Sequence, residues 1–221
     1  MQKQSAEILD NLNELLKTEE GQRAFTEVEP GIGCVDEGIA KRLLCYTAGS
    51  FITLPKEEAM QKIKQSSAEW FSNHVACGAA ALAAEGSGHS PEAFAEAWAK
   101  EVELATSKPF KYIGELDRPS YHDASVVYLV GTNRFSHVNT IWPKGFTITL
   151  SQGAPISDLG IVLGIAFGEH GLGEKLTAES PFRIVILGSK EMSAEEIKRQ
   201  ALPFIGEEIK DKVKIVEATV V

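Results

Sequence analysis

Two short stretches of the chain hold residue types that can do chemistry together. "GIGCVDEG" at 31–38 places Cys34 two residues before Asp36, and "NHVACGAA" at 73–80 places His74 three residues before Cys77. Zinc sites that keep an open position use three protein ligands, and two cysteines with one histidine are a set that occurs. Two thiolates and a neutral imidazole cancel the charge of the ion yet still let it acidify water. His-x-x-Cys suits a strand-to-helix turn folded around one ion, and a helix opening near Cys77 would stabilise its thiolate. Asp36 points the same way as Cys34 along an extended backbone, so it can reach the metal or orient its water. The competing reading is two buried thiols and a histidine without metal, the ordinary fate of cysteine in a core. A Cys34/His74 hydrolase pair is a further option, but a single nucleophile needs only one thiol.

These residues need elements to hold them. Residues 5–17 carry Ile8, Leu9, Leu12, Leu15 and Leu16 on one stripe and predict an amphipathic helix. Cys34 falls at the carboxyl end of a β-prone stretch or in the loop after it. "RLLCYTAGSFITL" at 42–54 reads as a strand interrupted by Gly49, and 56–68 as a helix. The alanine run after Cys77 predicts a helix to about Ala84, and Ser90 with Pro91 caps the next one. "ASVVYLVGT", "GFTITLS", "FRIVILG" and "VKIVEATVV" read as strands, "ISDLGIVLGIAFGEHGL" as a buried helix, and "SAEE" at 193–196 as a capping box. This alternation predicts an α/β sheet flanked by helices. Cys45 reads as a packed core thiol, and His89, His122 and His170 as solvated or core residues.

Composition bounds the rest. The chain has 221 residues, 43% hydrophobic and 24% charged, which suffices for a single domain with a real core. A net charge of −9 without any basic run interleaved with aromatics argues against nucleic acid. The longest apolar stretch is broken by Asp158 and Glu169 and is too short to span a membrane. No basic-then-apolar leader opens the sequence, and three cysteines do not make a disulfide framework, so a reducing, cytoplasmic setting is expected. The expected organisation is one α/β domain over 1–221, with a helical arm at about 1–20 and a β-α-β extension at about 180–221. No internal repeat is visible.

The order Cys-x-Asp, Ala-Gly, His-x-x-Cys-Gly-Ala is carried by "CVDEG", "TAGS" at 47–50 and "HVACGA" at 74–79. Over roughly residues 28–85 it resembles the β-class carbonic anhydrases. The resemblance implies a mixed, mostly parallel β-sheet flanked by helices, with Zn2+ on Cys34, His74 and Cys77. It implies Asp36 as the catalytic carboxylate that hydrogen-bonds the activated water, and carbon dioxide, bicarbonate or a related small electrophile as substrate. It also implies a homodimer, for which the leucine stripe of the first helix offers an arm. The family carries an arginine two residues after the aspartate, where this chain has Gly38. Either Lys41 or Arg42 folds back to replace it, or Asp36 closes the site as fourth ligand of a non-catalytic zinc protein. The segment before His74, "SSAEWFSN", lacks the apolar run of a central parallel strand.

Overall fold

Two apolar, β-branched runs, "VVYLV" and "FRIVILG", are buried along their whole length, as strands covered on both faces must be. They are the middle strands of the second of two sheets in the computed structural model, which describes residues 7–114, 116–119, 121–168, 171–172 and 175–220. His170 and residues 1–6 of the helical arm lie outside that range. The first sheet holds β1 (Glu29–Gly33), β2 (Leu43–Tyr46), β3 (Trp70–His74) and β4 (Phe110–Ile113) in the order β2-β1-β3-β4. The second holds β5 (Val126–Val130), β6 (Phe146–Thr149), β7 (Phe182–Gly188) and β8 (Val213–Thr219) in the order β6-β5-β7-β8. All the pairings are parallel, so a single mixed sheet is corrected to two parallel ones. Within each sheet, successive strands are joined by a crossover that returns the chain to the same end, which parallel pairing requires.

The two sheets share one topology: first strand inside, second on one flank, third and fourth on the other. This repeat is invisible in the sequence because it lies in strand order and not in residues. The sheets meet where β2 lies beside β6. There the Tyr46 N–H donates to Thr149 Oγ1 at 3.0 Å, and the Thr147 N–H donates to the Val35 carbonyl at 3.1 Å. One buried cluster joins Ile32, Cys45 and Phe71 of the first sheet to Leu129, Ile148 and Ile184 of the second.

Three local expectations change. The first helix is interrupted at Asn11, whose side-chain amide donates to the Glu7 carbonyl at 3.0 Å and competes with the backbone. Its Leu9, Leu12 and Leu15 pack against Val126, Tyr128 and Trp142, so the stripe belongs to the chain's own core. The strand expected over 42–54 stops at Tyr46, because Gly49, Ser50 and Phe51 take φ of 51°, 59° and 74° and turn the chain. Finally, Trp70–His74 is a central strand despite its polar residues. Ser72 Oγ donates to the Ile32 carbonyl at 3.0 Å, and Asn73 Oδ1 accepts the His74 N–H at 2.8 Å. These bonds offset the burial of Ser72 and of Asn73 Oδ1, while Asn73 Nδ2 stays buried without a partner among the described residues.

Candidate metal centre

In a parallel sheet a crevice opens at the carboxyl ends of two neighbouring strands whose connections leave in opposite directions. β1 and β3 are such a pair, since β1 continues to β2 on one flank and β3 to β4 on the other. Cys34 directly follows β1, and His74 is the last residue of β3. Ala76, at φ 53°, then turns the chain so that Cys77 caps the helix Gly78–Ala84. Topology thus brings together ligands that are forty residues apart in sequence. A ligand atom from each of Cys34, His74 and Cys77 lies within 4.8 Å of the others, and all three residues are buried. The two sulfurs are 3.9 Å apart.

The donor set fits zinc. His74 Nδ1 is held by the Val75 carbonyl at 2.8 Å, while its Nε2 is buried without any hydrogen-bond partner. An orphaned buried nitrogen beside two thiols is costly unless an ion takes its lone pair. Without metal, the Cys77 thiol bonds to Cys34 and holds the Cys34 thiol well below its ordinary pKa against the opposing effect of burial. Cys77 moves the opposite way, because its proton is engaged by Cys34 and because it is buried. Burial pulls His74 down, but the negative Cys34 and Asp36 beside it outweigh that and hold it at about 9. An ion entering here would displace these protons. The Gly49 N–H donates to Cys34 Sγ at 3.4 Å from the left-handed turn after β2. That turn is pinned by Asp158 of the second half, which accepts from Thr47 Oγ1 at 2.6 Å and from the Ala48 N–H at 2.8 Å. Cys45 stays outside the cluster, its thiol pushed up by burial.

The cationic partner of Asp36 is neither of the two that the sequence suggests. Lys41 pairs with Glu29 at 3.4 Å, and Arg42 donates to the carbonyls of Glu27, Arg23, Ala24 and Val138. Neither reaches Asp36. Arg118 does, with Nε 3.0 Å from Asp36 Oδ1. The Gly38 N–H donates to the same oxygen at 2.8 Å. A Cβ on Gly38 would stand 2.8 Å from Arg118 Cγ and 2.9 Å from Leu116 Cβ. Gly38 is therefore the space that Arg118 occupies. With Oδ1 doubly held, Oδ2 faces the cluster, 4.0 Å from His74 Nε2.

Arg118 and His122 also line an open cleft of about 890 Å³. Leu82 and Tyr121 face it from the first half, and Ile161 and Ile165 from the helix Asp158–Phe167 of the second. Both halves therefore wall the cleft, which Ala76 and Gly78, the neighbours of Cys77, also line. The second sheet has its own crevice between β5 and β7, but glycines stand at the ligand positions. A Cβ on Gly131 would meet Ile197 Cδ1 at 2.6 Å, and one on Gly188 would meet the Ala194 nitrogen at 2.3 Å. The start of the helix Ala194–Ala201 fills that crevice, and no metal-ligating cluster stands there among the described residues.

The sequence reading placed neither Arg118, Asp158 nor Glu37 at the site, and it took His122 for a solvated or core residue. The first two act across more than eighty positions, and no local spacing signals them. No family model, curated protein or solved structure matches the chain.

Proposed function

We propose that the chain is a zinc-dependent lyase of the β-carbonic anhydrase type, hydrating carbon dioxide or a related small electrophile. The observation that carries this reading is the Arg118–Asp36 pair beside the buried Cys34–His74–Cys77 cluster. Cys34, Cys77 and neutral His74 would hold the ion. Bound there, zinc supplies a Lewis acid that makes water a nucleophile near neutral pH. Arg118 and the Gly38 N–H fix Asp36 through Oδ1, leaving Oδ2 free to accept a hydrogen bond from that water and aim its lone pair. Because the carboxylate is held by a cation and an amide, it is under less pull to close the site as a fourth ligand. The apolar side of the cleft, Ile161, Ile165 and Leu82, suits a small uncharged molecule such as carbon dioxide.

The test is stopped-flow hydration of carbon dioxide by the zinc-loaded chain between pH 6 and 9, about the range in which zinc acidifies water. We expect a rate that rises with pH and falls strongly in Asp36→Asn. Zinc-loaded protein with no hydration activity across that range would return Asp36 to the role of a closing ligand in a non-catalytic site.

A further inference from the structure

The cleft beside Asp36 is far larger than the molecule the proposed reaction requires. Carbon dioxide has three heavy atoms, whereas about 890 Å³ falls within the range, roughly 300–1,000 Å³, of sites for drug-sized ligands. Leu82 and Tyr121, which line it, leave about half of their surface exposed, as few large apolar side chains of the chain do. Across from them, the helix Asp158–Phe167 presents Ile161 and Ile165 to the cleft with Gly164 between. A Cβ on Gly164 would meet nothing within 4 Å, so open space stands over that turn of the helix.

The charges of the lining narrow the kind of molecule that fits. Arg118 stands there, but its guanidinium is engaged by Asp36 Oδ1 at 3.0 Å and by the Pro119 carbonyl at 3.1 Å. The other charged group on the lining, among the described residues, is Glu85. An anionic tail would meet no unengaged cation, and the isoleucine and leucine wall favours a tail that is apolar and uncharged. The reacting head must resemble carbon dioxide, an electrophilic carbon between two doubly bonded atoms. Replacing one oxygen by N–R keeps that head and adds a tail.

We propose that the site takes an organic heterocumulene, R–N=C=O or R–N=C=S, whose apolar R group lies in the cleft between Leu82 and the face carrying Ile161 and Ile165. The inference rests on the function proposed above. For an isothiocyanate, the oxygen of one water adds to the central carbon, and both its protons end on nitrogen as the carbon–nitrogen bond breaks. The products are the amine R–NH2 and carbonyl sulfide, and no oxidant or reductant is consumed. Asp36 Oδ2 accepts the hydrogen bond of the attacking water, as it does in the hydration of carbon dioxide. Leu82, Ile161 and Ile165 hold the tail.

The probe is benzyl isothiocyanate, read by the benzylamine released so that modification of thiols is not counted. We expect the zinc-loaded parent to release benzylamine faster than buffer or zinc-stripped chain does. Gly164→Leu and Gly164→Phe, which fill the open space on the helix, should cut kcat/KM for this probe about 10-fold or more. Zinc content and carbon dioxide hydration should hold within about 2-fold in both variants, which guards against a simple loss of folding. N-benzylurea, an unreactive mimic of the hydrated adduct, should shift the methyl resonances of Leu82, Ile161 and Ile165 in the zinc-loaded parent, and Gly164→Phe should abolish those shifts. A parent that hydrates carbon dioxide but releases no benzylamine overturns the heterocumulene substrate alone. So does benzylamine release that is unchanged in both Gly164 variants, or methyl resonances that ignore N-benzylurea. A zinc-loaded parent active on neither molecule overturns the reading of the site, and this inference with it.

Discussion

At the scale of single residues, the site turns on a substitution in space. Gly38 leaves a place beside Asp36 empty, and Arg118 enters it from 82 residues away. Arg118→Gln should keep zinc but lower carbon dioxide hydration about 10- to 100-fold, the usual cost of losing a partner that orients a ligand shell. Arg118→Lys, which keeps a cation beside the same carboxylate, should retain part of the rate; a loss equal to that of Arg118→Gln would mean that Arg118 acts otherwise. The four residues Cys34, Asp36, His74 and Cys77 were legible because their spacing is local to two turns. Arg118 was not, since a lone arginine in "DRPS" carries no pattern, and the glycine at 38 reads as a loss until its surroundings are seen. A second residue prediction concerns His137, which burial holds at about 4, with Lys144 and Arg42 adding to the effect. Its folded pKa lies below the unfolded value of about 6.5, so the unfolded chain binds more protons and stability is lost as pH falls from 6.5 through 4. Asp158 works the other way: burial raises it to about 6 against its bonds from Thr47 and Ala48, so its contribution grows as pH falls from 6 to 3.8. The informative quantity is the stability of His137→Gln minus that of the parent. It should shift in the variant's favour by about 3 kcal/mol between pH 6.5 and 4. Denaturant melts that show no such shift would contradict a neutral buried His137.

At the scale of elements, three turns hold the cluster, and those after β2 and β3 ask for left-handed backbone. The turn after β2 is the most demanding, with Gly49, Ser50 and Phe51 all at positive φ. A Cβ on Gly49 would stand 2.5 Å from Ile52 Cγ2 and 3.0 Å from Ala79 Cβ. Ser50 Oγ ties the same turn to the carbonyls of Ile32 and Ser72, on β1 and β3. Gly49→Ala should therefore cost about 1–3 kcal/mol of stability and weaken zinc binding, because the N–H on Cys34 shifts with the turn. A variant with unchanged melting and unchanged zinc affinity would show that the turn is slack. The sequence predicted strands and helices well where periodicity was strong, as in β5, β7 and the Ser90-capped helix. It misjudged β3, because Ser72 is held by the Ile32 carbonyl of the neighbouring strand and Asn73 Oδ1 by the His74 N–H, bonds that no spacing announces. It also overran β2, because nothing in "TAGSF" announces three left-handed residues in a row.

At the scale of the molecule, two sheets of the same strand order share a single cysteine–histidine cluster among the described residues. The second half contributes a wall of the cleft and, through Asp158, the brace under the turn at Thr47 and Ala48. A fragment ending at residue 123 should therefore neither fold cooperatively nor hold zinc, as circular dichroism and metal analysis would report; a folded, zinc-loaded fragment would show that the second half is dispensable. The repeated topology escaped the sequence because strand order leaves no trace in residue identity, and glycines 131 and 188 stand where the first sheet has Cys34 and His74. The same asymmetry sets the stoichiometry. Elemental analysis of the purified chain, with X-ray absorption at the zinc edge, tests the central claim most directly. The account predicts one zinc per chain, bound by two sulfurs, one nitrogen and one exchangeable oxygen, retained in Cys45→Ala and lost in Cys77→Ala. A chain that takes up no zinc, or one that loses it equally in both variants, would contradict it.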